Sequence, residues 1–204
     1  MVKVKGKELN KKQTTWGIIA LVLVVILLWV VAGYNSLVSA DQKVESSFST
    51  VDTQYQRRAD LIPNLVNTVK GAADFEQETL TKVVEARSKA TQITIDPTKA
   101  TPQQLQDYQN AQGELSQALG RLLAVAESYP QLTATKSFQD LQVQLEGTEN
   151  RIQTARVDYN NTLRAYNTKV KRFPTVILAG VFNFDQKPYF EAANGAENTP
   201  VVEF

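Results

Sequence analysis

The chain has 204 residues, a formal net charge of +1, no cysteine and no histidine. The near-neutral charge argues against a nucleic-acid-binding protein, and the missing cysteine excludes disulfides and thiolate chemistry. Without histidine the chain lacks the commonest general base and the usual ligands of catalytic zinc. We therefore expect a protein that is not an enzyme, with no catalytic residues, no cofactor and no metal ligands.

An uncharged apolar run, WGIIALVLVVILLWVVAG, occupies residues 16–33. A helix of this length covers about 27 Å at about 1.5 Å per residue, close to the roughly 30 Å core of a bilayer. The run therefore predicts a transmembrane helix. Residues 1–15 are rich in lysine, whereas acidic and basic residues nearly balance each other just after the run. This bias predicts a basic cytoplasmic N-terminus and a single-pass protein of the bacterial cytoplasmic (inner) membrane, with the remainder extracytoplasmic.

Two alternatives remain for this run. It could be a buried helix of a soluble core, or the apolar core of a secretory signal peptide that is cleaved after Ala40, where residues 38–40 are small. We favour a retained anchor. The run exceeds the usual length of a signal-peptide core, and the proposed cleavage site falls inside a helical pattern that continues past it.

Apolar residues recur at helical spacing beyond Tyr34, with Asp41 as the polar exception. The residues on this face are Leu37, Val44, Phe48, Val51 and Tyr55. The membrane helix is thus expected to continue as a rigid stalk to Arg58, with Gly33 as its candidate hinge. Asp60 as an N-cap and Pro63 in a first turn predict that a second helix starts there and spans residues 61–90. Its predicted buried face is Ile62, Leu65, Val66, Val69, Ala73, Leu80, Val83 and Val84.

Two further helices follow a loop at residues 91–101. Thr101 as a cap and Pro102 at the first helical position predict a third helix over 102–129, and Thr135 is the predicted cap of a fourth. The third-helix face is Leu105, Tyr108, Gln112, Leu115, Leu119, Leu122, Ala126 and Tyr129; the fourth is Phe138, Leu141, Leu145, Thr148, Ile152, Ala155, Tyr159, Leu163, Tyr166, Val170 and Phe173. These heptad-like seams predict an all-α fold, in which a single N-terminal transmembrane helix continues into an antiparallel up-down four-helix bundle over residues 34–173.

An apolar segment over residues 174–190 follows the fourth helix, and a mobile tail is expected over 191–204. The alternating directions of four helices would return the apolar segment to the bilayer surface. It is too short to span the bilayer. We expect it either to contact the membrane or a neighbouring subunit, or to pack on its own bundle. The predicted contact residues are Val176, Ile177, Leu178, Val181, Phe182 and Phe184.

Three charged residues, Arg57, Arg58 and Asp60, are the candidate partner-docking site, since arginine binds a partner carboxylate with two parallel hydrogen bonds. The alternative is structural, with Asp60 capping a helix and an arginine bonding helix-end carbonyls.

Three more, Glu76, Glu149 and Arg156, are predicted to form a structural polar layer that fixes helix register, matched by neighbours such as Arg87. A paired-carboxylate catalytic site of Glu76 and Glu149 is the alternative. The Tyr-Asn pairs at 34–35, 159–160 and 166–167 are expected to bond between helices.

The most specific sequence motif is QYQRRADLIPNLV, from Gln54 to Val66, which is followed by Val69, Lys70 and Gly71. Shorter matches are YNSLV from Tyr34, and the pairs Tyr129-Pro130, Thr148-Glu149, Ala155-Arg156, Tyr159-Asn160, Tyr166-Asn167, Phe173-Pro174 and Tyr189-Phe190. With these residues the chain resembles the LemA family of bacterial membrane proteins. The family often has tryptophan where this chain has Phe48, and phenylalanine keeps the packing role.

The resemblance implies a single membrane helix, an outer helical bundle and no established catalytic activity. Family members are similar to proteins linked with envelope maintenance and, in one branch, with magnetosome formation. We therefore expect a membrane-anchored, non-enzymatic scaffold or adaptor. Its expected partners are the lipid bilayer, copies of itself as a homo-oligomer, and a membrane-protein partner such as a membrane protease, with no nucleic acid. The alternative function is a ligand-sensing or lipid-binding helical bundle.

Overall fold

The computed structural model describes residues 11–71 and 75–190, with side chains from residue 14 onward. Over these ranges the chain is all-helical and has no strand, which confirms the predicted class. The helices are α1 (Lys11–Lys70), α2 (Gln77–Gln92), α3 (Pro102–Ala126), α4 (Pro130–Thr133), α5 (Lys136–Lys171) and α6 (Thr175–Val181). The start of the basic N-terminus (residues 1–10), Ala73 of the predicted seam and the tail 191–204 lie outside the described residues.

Helix α1 is a single element of 60 residues, and this corrects the predicted helix boundary at Asp60. Pro63 lies inside α1 rather than at the start of a new helix. A proline in a helix interior has no N–H for the carbonyl one turn earlier, which here belongs to Ala59. Arg87 on α2 supplies the missing donor, with its Nε at 2.8 Å from the Ala59 oxygen. A contact from another helix thus permits the helix to pass through Pro63.

Gly33 also lies inside α1 and is a close-contact position rather than a break in the helix. A Cβ atom at Gly33 would stand 2.3 Å from Cδ1 of Leu178, on α6. Glycine therefore allows the backbone of α1 and the side chain of Leu178 to approach each other.

The apolar run of α1 is exposed along most of its length. Its best window for crossing a membrane is 0% buried, with a mean hydropathy of 2.8. By length and composition, α1 is the one helix in the described part of the chain that could cross a membrane. Its exposure argues against the alternative of a soluble-core helix, whose apolar face would be covered by protein.

The remaining helices enclose two apolar clusters. The proximal cluster, nearer the apolar run, is formed by Leu37, Val44, Phe48, Val51, Tyr55, Leu105, Tyr108, Ile152, Ala155, Tyr159, Leu163, Tyr166, Val170, Leu178, Ala179 and Phe190. The distal cluster is formed by Ile62, Leu65, Val66, Val69, Leu80, Val83, Ala86, Ala90, Leu115, Leu119, Leu122, Ala126, Leu132, Phe138, Leu141 and Leu145. Most predicted seam residues are among them. Val84 and Phe173 are exposed instead.

Contacts between α1 and α5 follow opposite orders along the two helices. Ser36 bonds Lys169, Phe48 contacts Tyr159 with ring centroids 5.7 Å apart, and Arg58 pairs with Glu149. The ends of α5 and α3 are set by local chemistry. Thr101 forms a capping box with Gln104 before Pro102, and the Thr135 hydroxyl accepts from the Phe138 amide, so both predicted caps are confirmed. Helix α3 ends at Ala126, earlier than predicted.

Candidate functional site

The guanidinium of Arg58 is buried between α1, α3 and α5, with 1% of the residue exposed. Its Nη1 donates to Ser116 Oγ at 2.6 Å and to Glu149 Oε1 at 2.8 Å. Its Nη2 donates to Gln112 Oε1 at 2.6 Å and to the Gln112 carbonyl at 3.1 Å. We call Arg58, Gln112, Ser116 and Glu149 the Arg58 cluster. It connects three helices by hydrogen bonds to one side chain.

Helical spacing directs Arg58 inward, because it continues the buried face of α1 between Tyr55 and Ile62. The Tyr55 ring lies 5.1 Å from the guanidinium carbon, in a cation–π contact. Burial raises the pKa of the Tyr55 hydroxyl, against the opposing effect of Arg156 and Arg58. A buried cation is costly unless it is paired and hydrogen-bonded, and Glu149 and Gln112 meet that requirement.

A cleft of about 360 Å³ opens beside the Arg58 cluster. Its lining is rich in amide and charged side chains: Tyr55, Arg58, Gln106, Gln109, Asn110, Gln112, Gly113, Glu114, Ser116, Gln117, Glu149, Ile152 and Arg156. Arg58 Nε is buried and makes no hydrogen bond with another described residue. The cleft therefore offers hydrogen-bond donors and acceptors to a small polar molecule, alongside apolar surface from residues such as Tyr55 and Ile152.

The structure separates the three residues predicted to dock a partner. Arg57 and Asp60 are exposed, and Asp60 accepts from Gln56 Nε2 at 2.9 Å. Arg58 faces the interior and is held by the Arg58 cluster, so its guanidinium is not displayed on the surface. None of the three lies at a helix end, because α1 continues to Lys70. Asp60 is therefore not an N-cap, which corrects the structural alternative as well.

The predicted polar layer is divided in the same way. Glu149 and Arg156 line one cleft, as expected for residues a heptad apart on α5. Glu76 is elsewhere, at the start of α2, where it accepts from the Thr79 hydroxyl at 2.6 Å. Arg87 bonds the Ala59 carbonyl rather than a carboxylate. Glu76 does not line the cleft with Glu149, and so the geometry offers no support for a paired-carboxylate site.

Two asparagines of the Tyr-Asn pairs bind the extended segment that follows α6. Asn160 donates to the Phe190 carbonyl at 2.9 Å and accepts from its amide at 3.0 Å. Asn167 makes the same reciprocal pair with Lys187, at 2.9 and 3.0 Å. A heptad of helix rises about 10.5 Å, close to the roughly 10 Å that three extended residues cover. The spacing of the two asparagines thus matches a backbone segment, not a facing helix.

Lys187 also completes a buried ion pair. Its Nζ bonds Asp41, the polar exception on the α1 face, and lies 5.0 Å from the centre of the Tyr166 ring. The Tyr166 hydroxyl donates to the Asp185 carbonyl at 3.0 Å. Burial, aided by the carboxylates of Asp41 and Asp185, raises the pKa of Tyr166 above its usual range. Asp41 is therefore explained by a partner far along the chain.

Helix α6 packs partly on its own protein. Leu178 is buried against Gly33, and the Tyr34 ring meets those of Phe182 and Phe184 at centroid distances of 4.9 and 6.0 Å. Val176, Ile177 and Val181, the other predicted contact residues, are exposed. The segment thus has one face on α1 and α5 and another that the described chain leaves uncovered.

The fold places this chain in the class of all-helical proteins in which one long apolar N-terminal helix is continuous with a packed helical domain. No group of three or more acidic, histidine or cysteine side chains able to hold a metal is found among residues 11–71 and 75–190. The family model described as "LemA family" matches residues 47–204, beginning beyond the apolar run, and the chain belongs to the LemA family.

Three relatives illustrate the range of that likeness. Magnetosome protein MamQ 2 of Paramagnetospirillum magneticum is 26% identical over 83% of this chain and 68% of the relative. Magnetosome protein MamQ of Magnetospirillum gryphiswaldense is 24% identical over 93% of this chain and 76% of the relative. Protein LemA of Metamycoplasma hominis is 25% identical over 78% of this chain and 69% of the relative.

Proposed function

We propose that this protein is a membrane-anchored, non-enzymatic scaffold or adaptor of the bacterial cell envelope. It works by self-assembly or by binding a membrane-protein partner. The observation that carries the proposal is the continuity of α1, which runs without a break from an exposed apolar segment into the packed helices. A continuous helix fixes the position of the domain relative to the bilayer, and a scaffold requires such a fixed position.

In this proposal the membrane anchor is not cleaved, and the helical domain lies outside the cytoplasm. Residues 38–40 lie within α1 between the buried residues Leu37 and Val44, so cleavage after Ala40 would cut a packed helix. The N-terminal lysines favour a cytoplasmic N-terminus and an extracytoplasmic domain. The opposite order of contacts along α1 and α5 supports an antiparallel arrangement of these two helices, and the proposal extends the alternation of direction to α2 and α3.

Orientation can be measured with a single cysteine, because the chain has none of its own. Val143 is exposed on α5 and serves as the labelling site, as Val143→Cys. A membrane-impermeant maleimide should label this variant in intact spheroplasts as fully as in lysed ones. Labelling that requires lysis would place the domain in the cytoplasm and overturn the proposed orientation.

The partners proposed are copies of this chain and a membrane protein, such as a membrane protease. Exposed apolar side chains of the helical domain, Val84 and Val157, offer contact area for either. Arg57 and Asp60 add charges to one side of α1.

Photo-crosslinking in native membranes, followed by mass spectrometry, tests this directly. A crosslinking residue at Arg57, Val84 or Val157 should capture a second copy or one recurrent membrane protein. The same residue at buried Leu115 is the matched control and should capture neither. A chain that yields no intermolecular crosslink at any exposed site, and is monomeric in detergent, would contradict the scaffold.

Ligand sensing is the second candidate function, and it is supported by the cleft beside the Arg58 cluster. Gly113 lines this cleft, with open space where its Cβ would be, so Gly113→Trp should fill it. Native mass spectrometry of protein purified from its own membranes should then show a small bound species that the Gly113→Trp variant lacks. Identical spectra for the two proteins would count against sensing at this cleft.

A further inference from the structure

Helix α6 carries an apolar face that the described chain does not cover. Ile177 and Val181 lie one turn apart on this face and are 52% and 66% exposed. Val176 lies beside them, and Phe173 just before the helix is 75% exposed. Leu178 and Ala179 form the opposite, buried face. Exposed apolar residues that are scattered singly over a protein surface are normal, whereas a contiguous exposed patch marks a binding surface. The four residues here form such a patch.

The position of α6 identifies the environment of this face. Leu178 packs on Gly33, the last residue of the exposed apolar run of α1. Val30, inside that run, is partly buried against the same proximal cluster. Phe182 is held by the ring of Tyr34, and tyrosine is typical of the membrane–water interface. Helix α6 therefore lies beside the end of the segment that the bilayer surrounds when α1 is inserted.

Basic side chains surround the same place. Lys171 and Arg172, at the end of α5 immediately before α6, are both exposed. Lys169 bonds Ser36, and the exposed carboxylate of Asp185 is the acidic residue in the segment that follows α6. The positive charge beside the apolar face complements a phosphate-bearing lipid surface, and it would be unfavourable in a dry contact between two copies of the chain.

We propose that α6 is an interfacial membrane-binding helix that selects anionic phospholipid. Its apolar face lies at the headgroup–acyl boundary, and Lys171 and Arg172 lie at the level of the lipid phosphates. The inference rests on the proposed membrane anchor and extends it: the domain is held to the bilayer at two places, α1 and α6. Two attachments on one rigid body restrict tilting of the domain.

The test uses the full chain reconstituted in vesicles, with a single cysteine that carries an environment-sensitive fluorophore. Ile177→Cys and Val181→Cys report on α6. Val143→Cys, 68% exposed near the other end of α5, is the matched control. Lipids with brominated acyl chains should quench the fluorophore at 177 and 181, and aqueous iodide should quench it at 143. The reverse pattern at 177 and 181 overturns the proposal.

Headgroup selection is measured by comparing brominated phosphatidylglycerol with brominated phosphatidylcholine as the quencher at Ile177→Cys. Each basic residue near an anionic surface contributes roughly fivefold to affinity, so the combined Lys171→Gln and Arg172→Gln changes should reduce the preference for phosphatidylglycerol by roughly 25-fold. Lys136→Gln with Arg151→Gln removes equal charge from the first half of α5 and should leave the preference unchanged. A preference that survives the first pair, or is absent from the parent, refutes selection.

The tryptophans separate failure of this inference from failure of the anchor. The chain has two, Trp16 and Trp29, and both lie in the apolar run. Their emission should be quenched by brominated chains if α1 spans the bilayer. Quenched tryptophans with a water-exposed label at 177 would leave the anchor intact and refute the role of α6. A label shielded from both quenchers, with self-quenching that grows with protein density, would assign the face to a second copy and also refute it.

Discussion

Arg58 combines features that are rarely found together on one side chain. Its guanidinium is buried, yet four hydrogen bonds from its two terminal nitrogens reach three residues on two other helices. The planar fork of arginine can bond the carboxylate of Glu149 and the amide of Gln112 at the same time, which a lysine ammonium cannot reproduce. Specific register between α1, α3 and α5 follows, because any slip would leave a buried charge unpaired.

Replacing Arg58 should therefore destabilise the domain strongly. We expect Arg58→Ala to lower the free energy of unfolding by about 3 kcal/mol, since it leaves a cavity and unpaired polar groups. The value lies at the lower end of the range for buried pairs because Glu149 is 42% exposed and can be solvated. Urea unfolding in detergent, followed by circular dichroism, measures this.

The neighbouring Arg57→Ala is the control for the loss of an arginine. Arg57 is exposed, so its substitution should change stability by less than about 0.5 kcal/mol. Equal effects of Arg57→Ala and Arg58→Ala would contradict the structural role of the Arg58 cluster. Arg58→Lys should recover little, because one ammonium cannot replace the fork.

The role of Arg58 could have been inferred in part from its spacing. Val51, Tyr55, Arg58 and Ile62 continue one series of helical steps, so the arginine falls where an apolar residue is expected. Its partner could not be inferred, because Glu149 is 91 positions away and the pairing depends on how α1 and α5 align. The apparent charge cluster with Arg57 and Asp60 is a feature of the linear sequence, and the helix directs Arg58 to a different face.

Among the helices, α1 differs most from its prediction, and Pro63 is the reason. Asp-x-x-Pro resembles the start of a helix, because proline is tolerated in a first turn and aspartate caps it. The local signal is the same whether a new helix begins or an existing helix continues. Arg87 decides between them by bonding the Ala59 carbonyl, and that contact belongs to tertiary structure. The predicted caps at Thr101 and Thr135 are confirmed because capping depends on residues within one turn.

The proline and the arginine should therefore be coupled. Arg87→Ala leaves the Ala59 carbonyl without its donor and should cost about 1–3 kcal/mol of unfolding free energy. Pro63→Ala restores the backbone N–H in an otherwise unchanged helix, so Arg87→Ala should cost less in that background. A double-mutant cycle, measured by denaturant unfolding, gives the coupling energy.

Lys89→Ala on the same helix is the comparison for that cycle. Lys89 forms an exposed ion pair with Glu114, which is worth little, and its substitution should add independently to Pro63→Ala. Strict additivity of Pro63→Ala and Arg87→Ala would show that the arginine does not support the helix through the proline.

The contact of α6 with α1 depends on the absence of a side chain at Gly33. Gly33→Ala would place a methyl group 2.3 Å from the Leu178 side chain, which is buried and must move. We expect α6 to detach locally, with faster amide hydrogen exchange over residues 175–181. Gly120→Ala on α3 is the matched change, since nothing lies near its Cβ, and it should stabilise by about 0.5–1 kcal/mol. Unaltered exchange in α6 after Gly33→Ala would mean that Leu178 adjusts without losing its site.

Across the domain, buried tyrosines give the folded state a common response to alkaline pH. Burial raises the pKa of Tyr159 to about 12. It raises the pKa values of Tyr55 and Tyr108 as well, and the Asp52 carboxylate that accepts the Tyr108 hydroxyl adds to the effect. The pKa of Tyr166 is also raised, chiefly by burial. These residues lie in the proximal cluster, so ionisation acts on the half of the domain nearer the apolar run.

The resulting dependence of stability on pH has a definite sign. In the unfolded chain a tyrosine ionises near pH 10, so below that pH both states hold the proton and the contribution is fully present. Between about 10 and the folded-state pKa, the folded protein binds more protons than the unfolded chain, and stability falls as pH rises. We therefore expect the free energy of unfolding to be flat below about pH 10 with respect to these tyrosines and to decrease above it.

Tyr159→Phe isolates one part of this response, because the ring and its packing remain while the ionisable hydroxyl is removed. Denaturant unfolding at a series of pH values should show a shallower alkaline decline for Tyr159→Phe than for the parent chain, with tyrosinate absorbance rising as unfolding proceeds. Tyr189→Phe removes a hydroxyl from an exposed ring and serves as the comparison. An alkaline slope that is the same for Tyr159→Phe and the parent would show that the decline has another source. A shallower slope would link loss of the proximal cluster to forced ionisation in its interior.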